Sequence, residues 1–376
     1  MNNYDKINNI LLLFLTFLII VIYINLPSIS NLISEIFIYI YLTFGILMLA
    51  LTIAKKDTKI KFNYFFNFVI IVLLTTIGCI INGTAIGNLI IINCTYIYIY
   101  IFKNTNVSKK TKKIFLILFA ILGIIQIVNV EKSVDLYYIN KDKYLNPNLI
   151  SQLLLFILIY INTLFKVKKK LEKILLIVIN AIIFNAIYLS DSRNILMTGL
   201  IYIIILYLIP KKITKKKYII NFSFLITYIL SLIIPITIVY LFKNNIYITI
   251  PFSSKTIFSG REHIWLVLFN NIKNFKDVLF GIPISNYINF LSTTNLHNIY
   301  ITVFANYGLI TLILYYGHIY KEANSNGINL DPNIKWGIII ILLSGIFENI
   351  IMTSTLNFLF CMLFCFNNNE NDEVKK

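Results

Sequence analysis

Residues 62–81 read FNYFFNFVIIVLLTTIGCII, twenty residues with no charged side chain, directly after a connection at 54–61 that carries four lysines. A helix of about 20 residues is long enough to cross the roughly 30 Å hydrocarbon core of a bilayer. Similar runs recur along the chain of 376 residues, of which 58% are hydrophobic and 13% are charged. Soluble domains have roughly a quarter of their residues charged. The sequence therefore predicts an all-α polytopic integral membrane protein without a sizeable soluble domain.

Twelve apolar segments are candidate transmembrane helices, and together they make residues 1–376 a single membrane domain. They are 10–24, 34–53, 62–81, 88–102, 114–130, 147–165, 172–189, 195–209, 218–242, 298–317, 334–350 and 354–366. The segments at 195–209 and 354–366 are short for a full crossing. No small-residue cleavage site follows the first segment, so we expect a retained helix rather than a signal peptide.

The lysines are distributed unevenly over the connections between these segments. Four connections carry four or five lysines each, at 54–61, 103–113, 166–173 and 210–217. With twelve crossings, 24 basic residues fall on one face of the membrane and nine on the other. Cytoplasmic loops are enriched in Lys and Arg, so we expect the lysine-rich face and both termini to be cytoplasmic, in a cell (plasma or inner) membrane. Topology also explains the net charge of +17 better than nucleic-acid binding does, because the charge lies in short turns.

Motifs of common soluble enzymes are missing from the sequence. It has no Walker motif, no dinucleotide fingerprint, no HExxH and no internal repeat typical of transporters with inverted halves. The four cysteines, at 79, 94, 361 and 365, lie in or beside apolar segments and predict no disulfide framework. The carboxylates predicted to be external are Glu35, Glu131, Asp135, Asp142, Asp191, Glu262, Asp277 and Glu348. No two of them have the DxD spacing that holds a metal–diphosphate complex, so we expect neither a metal nor another cofactor.

Arginine is rare in this chain. Of the 33 basic residues only Arg193 and Arg261 are arginines, and both fall in segments predicted to be extracytoplasmic. A guanidinium binds phosphate in a planar, two-pronged geometry that an ammonium group cannot copy. Arg193 lies in the turn 190–194, Ser-Asp-Ser-Arg-Asn, together with Asp191. The arginine favours an anion-binding turn, although a plain solvated turn explains the polarity of these five residues equally well.

The loop 243–297 is the one long connection in the sequence, and long loops are usually functional or disordered. Ser259 and Glu262 have the spacing of a capping box and predict a helix with Arg261 in its first turn, beside backbone N–H groups that favour anions. Apolar residues that fall largely on one side of this helix are Ile264, Trp265, Leu268, Phe269, Ile272 and Phe275. We expect an amphipathic helix in the headgroup zone with Trp265 as its interfacial anchor. In the alternative, Arg261 merely reaches lipid phosphates.

His297 ends this loop and Asn298 follows it, at the predicted start of the tenth segment. An imidazole in this place can accept a proton near neutral pH and act as a general base, although a histidine at a helix start is often only a hydrogen-bonded cap. His263 lies on a different helix face from Arg261 and ranks lower. Glu348 lies in an otherwise apolar segment, where a carboxylate is costly unless it is paired or functional. Both a role in a site and a structural hydrogen bond remain open for it.

Several short motifs, taken in order, resemble the O-antigen polymerase and ligase superfamily. They are Asn146-Pro147-Asn148, Ser192-Arg193, Gly260-Arg261-Glu262-His263-Ile264-Trp265, Leu279-Phe280-Gly281-Ile282-Pro283, His297-Asn298-Ile299-Tyr300 and Tyr307-Gly308-Leu309. The resemblance covers about residues 146–310, whereas the first 145 residues contribute only hydrophobicity. One departure is Pro283, which stands where the family often has a second glycine.

The resemblance implies a GT-C-like membrane glycosyltransferase that uses an undecaprenyl-diphosphate-linked oligosaccharide as its donor. Such a polymerase moves the growing glycan from its lipid carrier onto a new lipid-linked repeat unit on the outer face, in the synthesis of O-antigen, capsule or another envelope polysaccharide. Its expected partners are membrane lipids, a flippase and a chain-length regulator. Catalytic roles are implied for His297, Arg261 and Arg193. Substrate contacts are expected at Asn148, Asp191, Trp265, Asn298 and Glu348.

Two other functions remain open at this point. A ligase of the same superfamily would pass the finished glycan to a lipid core or a protein, and its sequence differs little from that of a polymerase. A transporter or flippase for lipid-linked sugars belongs to another class. We expect charged residues within the spans of a flippase, whereas the segments here hold almost none apart from Glu348.

Overall fold

The computed structural model describes most of the chain, namely residues 2–23, 27–55, 61–139, 146–246, 260–288, 295–325 and 330–366. Within these residues the chain is helical and contains no β-strand. The all-α prediction is therefore confirmed for the described part. The predicted N-cap Ser259 and the acidic Asp142 lie outside these residues, as does a large part of the loop 243–297.

Sixteen helices follow one another in the described residues. They are α1 (Asn3–Tyr23), α2 (Pro27–Ile53), α3 (Phe62–Asn82), α4 (Ile86–Asn104), α5 (Lys109–Ile139), α6 (Pro147–Leu164), α7 (Lys170–Leu189), α8 (Arg193–Tyr207), α9 (Lys211–Thr214), α10 (Lys217–Lys243), α11 (Arg261–Asn270), α12 (Phe275–Phe280), α13 (Ser285–Ile288), α14 (Ile299–Asn324), α15 (Pro332–Ser344) and α16 (Ser354–Met362). A 3₁₀ turn at Leu363–Cys365 continues α16.

Two of these helices begin with the same local signal, a capping side chain followed by proline. Asn146 accepts a hydrogen bond from the backbone N–H of Asn148 at the start of α6. Asp331 does the same for Asn333 at the start of α15. The cap satisfies a free N–H group, and a proline in the first turn needs no partner for its nitrogen. The motif at residues 146–148 therefore fixes where α6 begins.

Nine of the described helices are long and apolar enough to cross a membrane: α1 to α7, α10 and α14. They coincide with nine of the twelve predicted segments. The other three predicted segments correspond to α8, α15 and α16, which are apolar but shorter. Apolar helices of membrane-spanning length are therefore confirmed, whereas the number of twelve crossings stays a prediction.

The eleventh predicted segment, 334–350, is not one helix, so that prediction is wrong in its second half. α15 ends at Ser344, and residues 345–353 are non-helical until α16 begins at Ser354. We call residues 345–353 the helix break. Six of its nine residues are buried, Phe347 and Asn349 are partly buried, and only Thr353 is exposed.

Hydrogen bonds from distant parts of the chain replace the helical ones at the start of the break. The carbonyl oxygens of residues 344, 345 and 346 accept from Asn194 Nδ2 at 2.8 Å, Ile299 N at 2.9 Å and Asn298 Nδ2 at 2.7 Å. Irregular backbone at membrane depth is tolerated where neighbouring elements satisfy its polar groups. The starts of α8 and α14 do so here.

The ends of helices next to lysine-rich connections lie together. Lys55, just after α2, pairs with Asp5 of α1 at 3.1 Å and donates to the carbonyl oxygen of Asn104 at the end of α4. Lys103 of α4 pairs with Glu322 near the end of α14. We call this the lysine-rich end of the bundle. Its assignment to the cytoplasm stays a prediction from the count of lysines.

The helix break lies at the opposite end. α15 starts at the lysine-rich end, where Trp336 Nε1 donates to the carbonyl oxygen of Thr214 in the connection between α8 and α10. It then runs away from that end until the break meets the start of α14 through Gly345 and Ile299. The starts of α8 and α14 therefore share one end of the bundle with the break, and so does the start of α6, whose Gln152 lies 3.5 Å from Glu348.

Trp265 is not an interfacial anchor, so this prediction is wrong. Its side chain is 0% exposed, its Nε1 donates to the carbonyl oxygen of Leu296 at 2.9 Å, and its ring lies 6.3 Å from that of Phe347. α11 packs against α10, and Leu268 is buried beside Trp265 in the same cluster. The apolar side of α11 thus completes a protein core instead of facing lipid.

The predicted length of α11 is also wrong. The sequence predicts one amphipathic side from Ile264 to Phe275, but α11 ends at Asn270. Asn274 starts a new helix by accepting a hydrogen bond from the N–H of Asp277, whose carboxylate accepts from Asn274 N in return. This local capping box stabilises a separate α12 and leaves Phe275 72% exposed.

The segment after α12 passes closely against a kink in α14. Gly308 has φ 82° and ψ 176° inside α14, and a Cβ atom there would lie 1.9 Å from the carbonyl oxygen of Leu279. Gly281 has φ 94°, and its Cβ would lie 2.5 Å from the carbonyl oxygen of Ala305, which accepts from Ile282 N at 2.7 Å. Only glycine combines these dihedral angles with so close an approach. The two glycine motifs of the sequence therefore meet in space.

Pro283 fits this arrangement. On its far side, Ile284 N donates to the carbonyl oxygen of Asn82 at 2.8 Å. The amide of Asn82 donates in turn to the carbonyl oxygens of Phe280 and Asn306. The backbone is thus held on both sides of a residue that has no N–H to satisfy. Pro283, where the superfamily that the motifs resemble often has a glycine, leaves the contact with α14 intact.

Candidate functional site

Glu348 is the centre of the candidate site. Its side chain, in the helix break, is only 4% exposed. One carboxylate oxygen, Oε1, accepts from Arg261 Nη2 at 2.6 Å. The other, Oε2, lies 3.8 Å from His297 Nδ1 and 3.5 Å from Gln152 Nε2. A buried carboxylate thus joins three elements of the chain.

Four separate segments bring these side chains together. Arg261 is the first residue of α11, which follows Gly260 in a left-handed conformation. His297 lies just before α14, and Gln152 lies in the second turn of α6. An ion pair in such a buried place is stable only if other hydrogen bonds support it. Arg261, His297 and Glu348 are all predicted site residues, and the structure brings these three together.

His297 is fixed by its backbone conformation, and its side chain does not cap α14. Its φ is 50°, a left-handed conformation that is uncommon for residues other than glycine. Its N–H donates to Asn295 Oδ1 at 2.9 Å. The N-cap of α14 is Asn298, whose Oδ1 accepts from the N–H groups of Tyr300 and Ile301. The imidazole, 28% exposed, is therefore not needed to cap the helix.

Asn298 is buried and supports the fold at the start of α14. It is 0% exposed. Its Oδ1 caps α14, and its Nδ2 donates to the carbonyl oxygen of Ile346 in the helix break at 2.7 Å. Both polar atoms therefore have partners within the protein. Asn298 therefore has a supporting role in the fold, and the predicted substrate contacts at Asn298 and at the buried Trp265 stay predictions.

Arg193 reaches this end of the bundle through its neighbour. Asn194 Nδ2 donates to the carbonyl oxygen of Ser344, four residues before Glu348. Arg193 Nη1 is buried and has no hydrogen-bond partner among the described residues. Arg261 Nε is in the same situation. The structure thus places Arg193 beside the helix break but not in the Arg261–Glu348 ion pair.

The remaining predicted residues lie at the edge of the site. Asp191 is exposed and has φ 55°, in the turn before α8. Asn148 is half-buried in the first turn of α6, and its carbonyl oxygen accepts from Ser151. Asn148 precedes Gln152 by four residues, so both occupy the same side of α6. Asn148 is therefore next to the residue that contacts Glu348.

Sequence reasoning missed four polar residues of this region. Gln152 contacts Glu348, as described above. Asn349 donates to Asn295 Oδ1 at 2.6 Å and accepts from Thr302 at 2.9 Å. The spacing of Gln152 from Asn148 along a helix was a usable signal for the first of them. The other three are ordinary polar residues in the sequence, and only the fold makes them neighbours.

No group of three His, Cys, Asp or Glu side chains that could hold a metal ion is present in the part of the chain that the structure describes. The cluster combines one carboxylate, one guanidinium and one imidazole. Such a set can bind an anion through arginine and accept a proton through histidine. The chain matches no protein-family model, no curated protein and no solved structure. Its chemistry is therefore inferred from its own residues.

Proposed function

We propose that this protein is a membrane glycosyltransferase that polymerises lipid-linked oligosaccharide repeat units. It transfers the growing glycan from undecaprenyl diphosphate to a new repeat unit on the outer face of the membrane. The observation that carries the proposal is the buried Glu348, which contacts Arg261 at 2.6 Å and faces His297 at 3.8 Å. Arg261, which is suited to bind phosphate, and His297, which is suited to proton transfer, thus both lie next to the carboxylate of Glu348.

The arginines suit the leaving group of this reaction. Arg193 Nη1 and Arg261 Nε are buried donors without an acceptor among the described residues. Leaving a buried donor unpaired costs about 1–3 kcal/mol, and a bound anion would supply the acceptors. The diphosphate gains negative charge as the glycosidic bond breaks. Guanidinium groups therefore stabilise the transition state more than the bound donor.

The surface between α7 and α8 suits the lipid carrier. A shallow apolar depression lies there, next to the turn that carries Arg193. Its walls include Phe184 and Tyr188 from α7, and Leu196 and Met197 from α8. A polyprenyl chain is apolar and can lie against such a surface while its diphosphate is bound at the turn.

The proposed reaction needs no oxidant or reductant. An acceptor hydroxyl oxygen of the new repeat unit attacks the anomeric carbon of the donor glycan and forms the new glycosidic bond. The bond from that carbon to the diphosphate oxygen breaks, and its electron pair leaves with undecaprenyl diphosphate. The hydroxyl proton passes to His297 Nε2. A positioned general base contributes typically about 10²–10⁴-fold to such a step.

The distribution of buried charge fits a reaction at one face better than transport across the bundle. Asp5 and Glu322 are paired with lysines at the lysine-rich end. Glu348 is paired with Arg261 at the opposite end. Transporters of charged substrates place ionisable side chains along the pathway through the bundle, whereas these ion pairs lie at its two ends.

The test uses lipid-linked oligosaccharides extracted from cells in which this gene has been deleted. Purified protein in detergent should convert them into a ladder of longer lipid-linked glycans. His297→Ala should reduce this conversion about 10²-fold or more, and His297→Gln should fail in the same way because an amide cannot accept the proton. His263→Ala is the matched control, because His263 is exposed on α11 and lies outside the cluster.

Each outcome decides between functions. Glycan moved to a lipid core or a protein, without lengthening, identifies the ligase alternative. Lipid-linked oligosaccharide that crosses a vesicle membrane unchanged identifies a flippase. A His297→Gln variant that makes chains of normal length excludes His297 as the base.

A further inference from the structure

The carboxylate of Glu348 is oriented towards one particular nitrogen of His297. Its Oε2 atom lies 3.8 Å from Nδ1, too far for a hydrogen bond, and Nδ1 is buried with no hydrogen-bond partner among the described residues. The other oxygen, Oε1, is occupied by Arg261 at 2.6 Å. In a neutral imidazole only one nitrogen carries the proton, and the other accepts. A carboxylate beside Nδ1 favours the form in which Nδ1 carries the proton. In that form Nε2 is free to accept.

A shared hydrogen-bond acceptor fixes the segments of His297 and Glu348 relative to each other. Asn295 Oδ1 accepts both from the N–H of His297 at 2.9 Å and from Nδ2 of Asn349 at 2.6 Å. Asn349 is the neighbour of Glu348, so a single amide oxygen fixes the segments that carry the imidazole and the carboxylate. The positive φ of His297 is maintained by this contact. Backbone strain of this kind persists only where surrounding contacts determine it.

Gln152 fixes the carboxylate from the opposite side. Its Nε2 lies 3.5 Å from Oε2, the oxygen that faces His297. With Arg261 on Oε1 and Gln152 on Oε2, the plane of the carboxyl group is set by two elements, α11 and α6. The side chain of Glu348 is only 4% exposed, so water contributes little to its orientation.

We propose that Glu348 is the positioning residue of this site, which selects the form of His297 protonated at Nδ1 and stabilises the imidazolium that forms when Nε2 takes the acceptor proton. The inference rests on the proposed function, because it assigns Glu348 to the same proton transfer. It goes beyond a substrate contact, since Glu348 acts on the reaction through His297.

The test is Glu348→Gln, which keeps the shape of the side chain and an acceptor for Arg261. The amide can turn its N–H₂ towards Nδ1, which then accepts and leaves the proton on Nε2, the wrong nitrogen. We expect kcat to fall about 10²-fold or more, with the KM for extracted lipid-linked oligosaccharide within about threefold of the wild-type value. A role limited to holding Arg261 would also lower kcat, but independently of His297, so Glu348→Gln would then cause a further loss in the His297→Ala background, and that result overturns the proposal.

The matched control is Glu322→Gln. Glu322 is also a buried carboxylate in an ion pair with one basic side chain, but it lies at the lysine-rich end. We expect normal kcat for this variant at wild-type protein abundance. If Glu348→Gln fails to accumulate, Glu348→Asp takes its place, because it keeps the charge and withdraws the carboxylate from Nδ1. It should lose at least about 10-fold in kcat, and wild-type kcat in Glu348→Asp also overturns the proposal.

A double variant separates this role from an independent one. If Glu348 acts through His297, Glu348→Gln should cause no further loss of residual rate in the His297→Ala background. A multiplicative loss would show that Glu348 acts elsewhere. A wild-type protein that neither lengthens the glycan nor binds undecaprenyl diphosphate would reject the proposed function itself. An active wild type with an equally active Glu348→Gln variant rejects only the role of Glu348.

Discussion

Arg261→Lys separates the two contacts that Arg261 can make. Its Nη2 pairs with Glu348 at 2.6 Å, while Nε has no partner among the described residues. A lysine ammonium can still pair with the carboxylate but cannot offer a second donor in the same plane. A hydrogen bond to a charged group contributes about 1.5–3 kcal/mol. Its loss corresponds to about 10- to 150-fold in kcat/KM, because each 1.4 kcal/mol or so is a factor of about ten.

The stability of the same variants provides the control. Arg261→Lys keeps a cation beside Glu348 and should unfold close to the wild-type temperature. Arg261→Ala leaves a buried carboxylate without its cation, which costs about 3–5 kcal/mol, and should unfold clearly earlier. Initial rates on extracted lipid-linked oligosaccharide and thermal unfolding in detergent measure the two effects separately. Arg261→Lys with kcat/KM within twofold of wild type would refute the role of Arg261 as a fork for diphosphate.

Three further predictions concern the fold. Gly308→Ala should destabilise the protein by about 1–3 kcal/mol or more, because its φ is 82° and a Cβ would lie 1.9 Å from Leu279 O; Gly317→Ala in the same helix, where a Cβ meets nothing within 4 Å, should be neutral in the same unfolding assay. In a Trp336→Phe background, Trp265 fluorescence should resist quenching by lipids with spin labels on their chains or headgroups, and strong quenching would restore the interfacial anchor. A cysteine at Ser254 should react with an impermeant thiol reagent in intact cells, and reaction only after the membrane is opened would reverse the predicted topology.

The long helices could be predicted because their signal is local. Each run of about twenty apolar residues has to satisfy its own backbone in a bilayer, so it forms a helix whatever surrounds it. Lysine-rich connections then mark where these helices end. The nine long helices coincide with these apolar runs, including the run at 62–81.

The helix break could not be predicted in this way. Residues 345–353 read GIFENIIMT and continue the apolar pattern of α15. The helix stops because Asn298 and Asn194 donate hydrogen bonds to carbonyl oxygens at its end, and both asparagines are distant in sequence. Trp265 was misplaced for a similar reason. Its apolar side was visible, but whether lipid or α10 covers it depends on how α11 packs.

The candidate site was partly predictable because charged residues are rare in this chain. The rarity of arginine and of carboxylates within apolar segments identifies Arg261, Arg193 and Glu348 as candidates, and Arg261 and Glu348 form an ion pair. Gln152 was missed because an amide in an apolar helix carries no comparable signal. Its contact with Glu348 depends on the approach of α6 to the helix break, which no local pattern in either segment encodes.

Three charged or titratable side chains of the site are each followed by an asparagine that holds the break region. Asn194 follows Arg193 and binds the carbonyl oxygen of residue 344, Asn298 follows His297 and binds that of residue 346, and Asn349 follows Glu348 and binds Asn295. Consecutive residues point in different directions along a chain, so an asparagine committed to the break leaves its neighbour free to face elsewhere. The polar contacts that an irregular segment requires in a membrane protein therefore also fix the backbone that carries the reactive side chains. The helix break therefore supports the site, because the three asparagines bring the segments that carry Arg193, His297 and Glu348 to the same end of the bundle.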